Sequence, residues 1–146
     1  MSAVSFEKHK EYLRLDEVAH FLNLDSRTVR NLIARGTLKA TAIAPRVTRV
    51  ASDDLIRFAQ RGLRGSPQWP VRVRLSERLL RPERLAAMLG VARDTVVRWA
   101  EEEKIPVIDV CQGRRATIRI IGSWAALFVP AHGERGRNRA ELERRV

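Results

Sequence analysis

A segment of 28 residues occurs twice in this chain and constrains its fold more than any other feature. The first copy, LRLDEVAHFLNLDSRTVRNLIARGTLKA, begins at Leu13, and the second, LRPERLAAMLGVARDTVVRWAEEEKIPV, begins 67 residues later at Leu80. Identical residues stand mostly at the spacing at which two short helices would touch. These pairs are Leu13/Leu80, Arg14/Arg81, Ala19/Ala86, Leu22/Leu89, Thr28/Thr95 and Val29/Val96. The repeat therefore predicts two units of similar build.

Apolar spacing and turn residues predict the same order of elements in both units. In the first, we expect helices over 16–22 and 26–35, strands over 38–44 and 47–51, and a helix that Ser52 caps. In the second, we expect helices over 81–89 and 93–103, strands over 107–111 and 116–121, and a helix that Ser123 caps and Pro130 ends. The predicted fold class is α+β, mainly α with small β-hairpin wings.

The glycines and prolines between the repeats divide the chain into four segments. We predict a first domain at 1–62, a basic connector at 63–79, a second domain at 80–130 and a basic C-terminal tail at 131–146. The whole chain carries a formal charge of +11, and residues 61–79, which contain the connector, carry +4. Such an excess favours polyanionic partners. The connector is either a track for phosphates or a solvated linker, and its Trp69 is a candidate clamp between the units.

Both units resemble the winged helix-turn-helix domains of the excisionase and MerR-type family. The resemblance is carried by Leu22–Arg30 in the first unit, by Leu89–Val96 in the second, and by the basic wing segment Gly113–Ile118. It implies two tandem winged helix-turn-helix domains. In that family the second helix enters the major groove and the wing touches the minor groove or the backbone. Members are excisionases, recombination directionality factors and transcription regulators.

The second helix of the first unit has a surface suited to reading bases. If Val29, Leu32 and Ile33 are buried, polar side chains remain outside. Arginine can pair with guanine through two hydrogen bonds, and asparagine with adenine. The predicted DNA-binding residues of this unit, its wing included, are Ser26, Arg27, Thr28, Arg30, Asn31, Arg46 and Arg49.

The corresponding helix of the second unit is less suited to a polyanion. Val97 replaces Arg30, Ala92 replaces the capping Asp25, and three glutamates follow at 101–103. One interpretation places this helix on DNA, with Asp94 accepting from cytosine, Val97 on a thymine methyl and Arg98 on a phosphate. The other makes its acidic end a protein contact. We favour DNA, because the second wing is basic. The predicted contacts are Arg93, Asp94, Thr95, Arg98, Arg114, Arg115 and Arg119.

The sequence contains no pattern that indicates catalysis. It lacks a nucleophile–histidine–acid set, a glycine-rich phosphate loop and clustered metal ligands, and Cys111 is its single cysteine. We therefore expect no enzyme activity, cofactor or metal. The expected partner is double-stranded DNA, with self-association on DNA and a recombinase or RNA polymerase contact left open. We expect no membrane contact and a cytoplasmic location in a bacterium or a phage-infected host cell.

Overall fold

The computed structural model describes residues 3–132, so the predicted tail at 131–146 lies outside the described residues from 133 onwards. The first unit has the predicted order of elements. Two helices are followed by a β-hairpin and a third helix. The elements are β1 (Val4–Glu7), β2 (Tyr12–Leu13), α1 (Leu15–Leu22), α2 (Ser26–Ala34), β3 (Thr41–Ala44), β4 (Val47–Ala51) and α3 (Ser52–Gly62). The predicted helices are confirmed to within one residue at each end.

Local chemistry explains the turn between α1 and α2. Asn23 ends α1 in the left-handed conformation, with φ of 54°, which asparagine tolerates better than most residues. Asp25 then caps α2, because its Oδ1 accepts the backbone N–H of Thr28 at 2.7 Å. Val29 and Leu32 face inwards from α2 and are fully buried. The predicted cap is therefore confirmed, and so is the buried stripe except at Ile33, which is half-buried.

The second unit repeats this order with a longer wing. Its strands are joined by residues 110–117, whereas only residues 45–46 join the strands of the first wing. The elements that follow the first unit are β5 (Leu63–Arg64), β6 (Val71–Arg74), α4 (Pro82–Leu89), α5 (Arg93–Glu101), β7 (Val107–Asp109), β8 (Ile118–Ile120) and α6 (Gly122–His132). The α+β class, with helices and small strands, is confirmed.

Three details of the predicted helix ends are wrong. The α3 helix begins at Ser52 rather than after it, and the Ser52 hydroxyl donates to the Lys10 carbonyl, which ties the N-terminal segment down. The α6 helix starts before Ser123, whose hydroxyl donates to the Arg72 carbonyl at 2.6 Å. Pro130 does not end α6, which continues to His132. A proline so near the end of a helix removes only one hydrogen bond.

The predicted connector is built into both units as strands. β5 pairs antiparallel with β7 of the second wing, and β6 pairs parallel with β1 near the N-terminus. Within β6, Val71 and Val73 are buried whereas Arg72 and Arg74 are exposed, as the alternation of a strand requires. The described part of residues 63–79 is therefore ordered backbone that joins the two units through hydrogen bonds.

One continuous hydrophobic core underlies both units. It includes Phe21 and Phe58 from the first unit and Trp124 from the second, all fully buried. Trp124 stacks on Phe128 with ring centroids 4.4 Å apart. Trp69 of the connector packs against the same core and is partly buried. Because each unit alone would have a small core, this shared packing stabilises both.

Candidate nucleic-acid interface

The outer face of α2 presents polar side chains, and its arginines form no close ion pair with a described carboxylate. Ser26, Arg27, Arg30 and Asn31 are exposed, and Thr28 is half-buried. Among the described residues, neither Arg27 nor Arg30 has a carboxylate oxygen within 4 Å. An unpaired guanidinium can donate two parallel hydrogen bonds to the edge of a guanine or to a phosphate. The structure therefore places these predicted residues together on one face.

The cap of α2 fixes where this face begins. Hydrogen bonds from the Thr28 hydroxyl and backbone N–H lower the pKa of the Asp25 carboxyl. Asp25 is therefore an anion at neutral pH and holds the first turn of α2, where Ser26 and Arg27 lie. An anion at a helix N-terminus also interacts favourably with the helix dipole.

The first wing places one arginine at its tip and another along its side. Arg46 is exposed at the hairpin turn, where its φ of 63° shows a left-handed backbone. Arg49 lies on β4 and is half-buried, and its Nη1 donates to the Thr48 carbonyl at 3.0 Å. Arg46 is thus the freer of the two cations predicted in this wing.

The α5 helix presents a different chemistry, because its cations are already paired. Arg93 Nε lies 2.7 Å from Glu83 Oε1, and this guanidinium lowers the pKa of the Glu83 carboxyl. Arg98 Nε lies 3.8 Å from Glu102 Oε1. Asp94 is almost fully exposed, and its Oδ1 lies 3.9 Å from Arg93 Nη1, whereas Thr95 is half-buried. Two of the four predicted contacts on α5 are therefore held by acidic neighbours.

A cleft of about 640 Å³ separates α5 from the second wing. Val97 and Ala100 of α5 line one side, and Ile118 of β8 lines the other. Glu83, Glu101 and Glu103 also line it, beside several arginines. Arg93 and Val97, the counterparts of Ser26 and Arg30 on α2, thus border a mixed-charge cleft.

The tip of the second wing is built on one buried carboxylate. Asp109 is only 7% exposed, and its Oδ1 accepts the backbone N–H groups of Cys111, Gln112 and Thr117 at 3.0–3.2 Å. These bonds close the loop and project Arg114 and Arg115 outwards, where both are exposed. Neither has a carboxylate oxygen within 4 Å in the part of the chain that the structure describes.

Arg119 requires a correction, because it faces the first unit and not solvent. It is 8% exposed, and its Nη2 donates to the Asn23 carbonyl at 2.8 Å. Its Nε lies 3.2 Å from the Leu22 carbonyl and 3.1 Å from that of Asn23. Burial lowers the pKa of this guanidinium below its ordinary value, and the nearby Arg81 adds to the effect. Arg119 joins the units at the C-terminal end of α1, where a cation is favourable, and is not available to DNA.

Sequence reasoning missed Arg35 as a member of this surface. It is exposed at the end of α2, and its Nη2 donates to the Cys111 carbonyl of the second wing at 3.4 Å. The available signal was its spacing, because Arg35 follows Asn31 by four residues and so shares its side of the helix. The partner of Arg35 lies 76 positions away in sequence, and no local pattern indicates that contact.

No helix among the described residues is both long and apolar enough to cross a bilayer.

Comparison with known proteins identifies the first unit. No curated protein and no solved structure matches the chain. Residues 12–62 match a family model described as a helix-turn-helix domain, which supports a DNA-binding regulatory function. This match spans α1, α2, the first wing and α3, so the first unit is a helix-turn-helix domain of a DNA-binding family.

Proposed function

We propose that this protein is a non-catalytic, sequence-specific binder of double-stranded DNA with two winged helix-turn-helix heads. Base reading is concentrated in α2 of the first unit. Its role is that of a transcription regulator or an excisionase-like recombination directionality factor, as the resemblance of both units to that family implies. The observation that carries the proposal is that Arg27, Arg30 and Asn31 lie exposed together on α2, within the matched domain.

The chemistry of α2 suits the major groove. Arg27 and Arg30 expose guanidinium groups, which can pair with guanine, and Asn31 exposes an amide, which can pair with adenine. The neighbouring wing carries Arg46 at an exposed tip, where a guanidinium can bind phosphate or enter the minor groove. A net charge of +11 adds a sequence-independent attraction to the duplex.

Selection of bound sequences from random duplex DNA tests this function. We expect one enriched motif for the wild-type protein, and loss of part of that motif for the pair Arg30→Ala and Asn31→Ala. The pair Arg57→Ala and Gln60→Ala is the control, because it removes the same charge from an exposed face of α3. If the wild type enriches no sequence but binds with steep salt dependence, the protein binds DNA through its charge without sequence preference, and the proposal fails.

A second candidate function concerns the α5 side of the molecule. Glu101, Glu102 and Glu103 are exposed, and they lie beside the mixed-charge cleft at the end of α5. Such a surface favours a protein partner over a polyanion, for example a recombinase or RNA polymerase. Reversal of the three charges to lysine should then abolish capture of that partner and leave the DNA motif unchanged. A changed motif would instead place α5 on DNA.

A further inference from the structure

The tip of the second wing lies beside the reading helix of the first unit. A groove of about 470 Å³ runs between them. On the α2 side it is lined by Thr28, Asn31 and Arg35, and on the wing side by Arg114 and Arg115. The repeat predicts no such arrangement, because a wing is expected to serve the helix of its own unit.

Contacts across the unit boundary hold the tip in this position. Gln112 at the base of the tip donates from Nε2 to the Phe58 carbonyl of α3 at 2.7 Å. Gly62 at the end of α3 lies so close to β7 that a Cβ there would stand 2.2 Å from the Asp109 carbonyl oxygen. Only glycine permits that approach. Together with the Arg119 bonds to α1, these contacts fix the wing relative to α2.

The charge of the groove matches a nucleic-acid backbone. The residues that line it include three arginines and no acidic residue. The cleft on the other side of the same wing is lined by four acidic residues, Glu83, Glu101, Glu103 and Asp109. Arg115 borders both spaces, but only the α2 side offers it a surface without competing carboxylates.

We propose that the second wing completes the reading surface of the first unit. When α2 lies in the major groove, Arg114 and Arg115 bind phosphates along the flank of the same DNA segment, next to the bases that Asn31 reads. This inference rests on the proposed function, since it assigns a second binding element to the same DNA site. The second unit thus contributes affinity to the first head through its wing, and this contribution requires no base contact from α5.

Salt-dependent binding to the selected duplex tests the two arginines. We expect the pair Arg114→Ala and Arg115→Ala to make the slope of log K against log salt less negative by about two, since each phosphate contact contributes about −0.9. The control pair is Arg72→Ala and Arg74→Ala, which also removes two positive charges, from arginines of β6 that face Glu7 and Glu77 at 3.5 Å. Equal slopes for the two pairs would overturn the proposal.

Footprinting locates the contact. The Asn31→Ala variant identifies the bases that Asn31 selects. Loss of Arg114 and Arg115 should remove protection of the DNA backbone directly beside those bases, and the preference for the bases should remain. Protection lost about one helical turn away, roughly 10 bp, would assign the wing to its own head and refute the inference. A wild-type protein that selects no sequence fails earlier, at the proposed function, so the two failures are distinguishable.

A tethered cleavage reagent provides a measurement that does not depend on removing charge. A cysteine introduced by Gly113→Cys, in a Cys111→Ser background, carries an iron chelate at the tip. The new Cβ would stand 3.6 Å from Arg35 Nη1, an ordinary contact. We expect strand cleavage adjacent to the bases affected by Asn31→Ala. Cleavage confined to a separate segment would contradict the composite surface.

Discussion

The α2 and α5 helices hold equivalent places in the two units and differ in what their cations contact. On α2, no carboxylate oxygen of the described residues lies within 4 Å of Arg27 or Arg30, whereas on α5 Arg93 lies 2.7 Å from Glu83 and Arg98 lies 3.8 Å from Glu102. Both helices bury a valine at the same repeat position and follow a left-handed turn residue. The features common to both helix pairs are thus the buried positions and the left-handed turn residue. The exposed positions can then take different chemistries in the two units.

The largest expected difference is in DNA affinity after matched substitutions on the two helices. Each lost contact in which one side chain makes two hydrogen bonds to a base costs about 1–3 kcal/mol of binding free energy. We therefore expect Arg30→Ala with Asn31→Ala to weaken binding to the selected duplex about a hundredfold. The counterpart pair on α5, Val97→Ala with Arg98→Ala, should change it by less than about threefold, because Arg98 is paired with Glu102. Fluorescence titration measures both affinities, and an equal loss of affinity in the two variants would show that α2 and α5 contribute equally to DNA binding.

The next effect concerns Arg49 and Arg119, the wing arginines that align when the offset between the units is taken as 70 residues. Arg119→Ala removes a buried guanidinium and leaves the Leu22 and Asn23 carbonyls without this donor. We expect unfolding free energy to fall by about 2 kcal/mol. Arg49→Ala should change it by less than about 0.5 kcal/mol, because Arg49 is half-exposed and its side chain donates to the carbonyl of its neighbour Thr48. Urea denaturation measures both, and a stable Arg119→Ala would show that this joint contributes little.

A smaller effect is expected at the N-termini of the two helices. Ala92 has the extended backbone of an N-cap, with φ of −72° and ψ of 150°, but no side chain that caps. Ala92→Asp should raise the unfolding free energy by about 1 kcal/mol, and the thermal midpoint by about 3 °C. Asp25→Ala should lower the midpoint, since it removes the bond to Thr28.

The pH dependence separates the charge of the cap from its hydrogen bond. Hydrogen bonds from Thr28 place the pKa of Asp25 below its ordinary value. Its stabilisation is therefore complete above the unfolded pKa, near 3.9, and is lost as pH falls through the lower folded pKa. The gain from Ala92→Asp should disappear over the same range. Ala92→Asn, which caps without titrating, should keep its gain in acid, and an identical loss in both variants would reject this account.

Much of the fold could be predicted because its signals are local. The apolar spacing of Val29 and Leu32, the cap at Asp25 and the turn at Pro45 and Arg46 each act within a few residues. The β6 strand was missed although VRVR alternates, because the glycines and prolines around it indicate a connector. Here pairing with β1, more than 60 positions away, decides the structure.

The candidate site could be predicted only for its first half. The exposed face of α2 follows from helical periodicity, which needs no tertiary information. Aligning the wings placed Arg119 with Arg49, but the burial of Arg119 depends on carbonyl groups at the end of α1, 96 or 97 positions away. The position of Arg114 beside α2 likewise depends on contacts between units. Long-range contacts of this kind leave no periodic signal in the sequence.

The smallest expected effect tests whether α5 approaches DNA at all. Glu83→Gln removes the carboxylate that holds Arg93 at 2.7 Å. If α5 lies near the duplex, the freed guanidinium should raise affinity by up to about threefold, the range of an exposed ion pair. Glu77→Gln is the control, because it removes an equal charge from an exposed glutamate that pairs with Arg74 at 3.5 Å. Equal small gains in both variants would indicate only a longer-range charge effect.

Acid should reproduce the effect of Glu83→Gln in the wild-type protein. The Arg93 guanidinium keeps the pKa of Glu83 below its ordinary value, which is near 4.3. The carboxylate therefore remains ionised at neutral pH, and it releases Arg93 only as pH falls through that lowered pKa. The affinity ratio of Glu83→Gln to wild type should approach one in that range and stay constant above pH 6. A ratio of one at neutral pH would mean that α5 makes no DNA contact through Arg93, so that the two helices differ in partner as well as in surface chemistry.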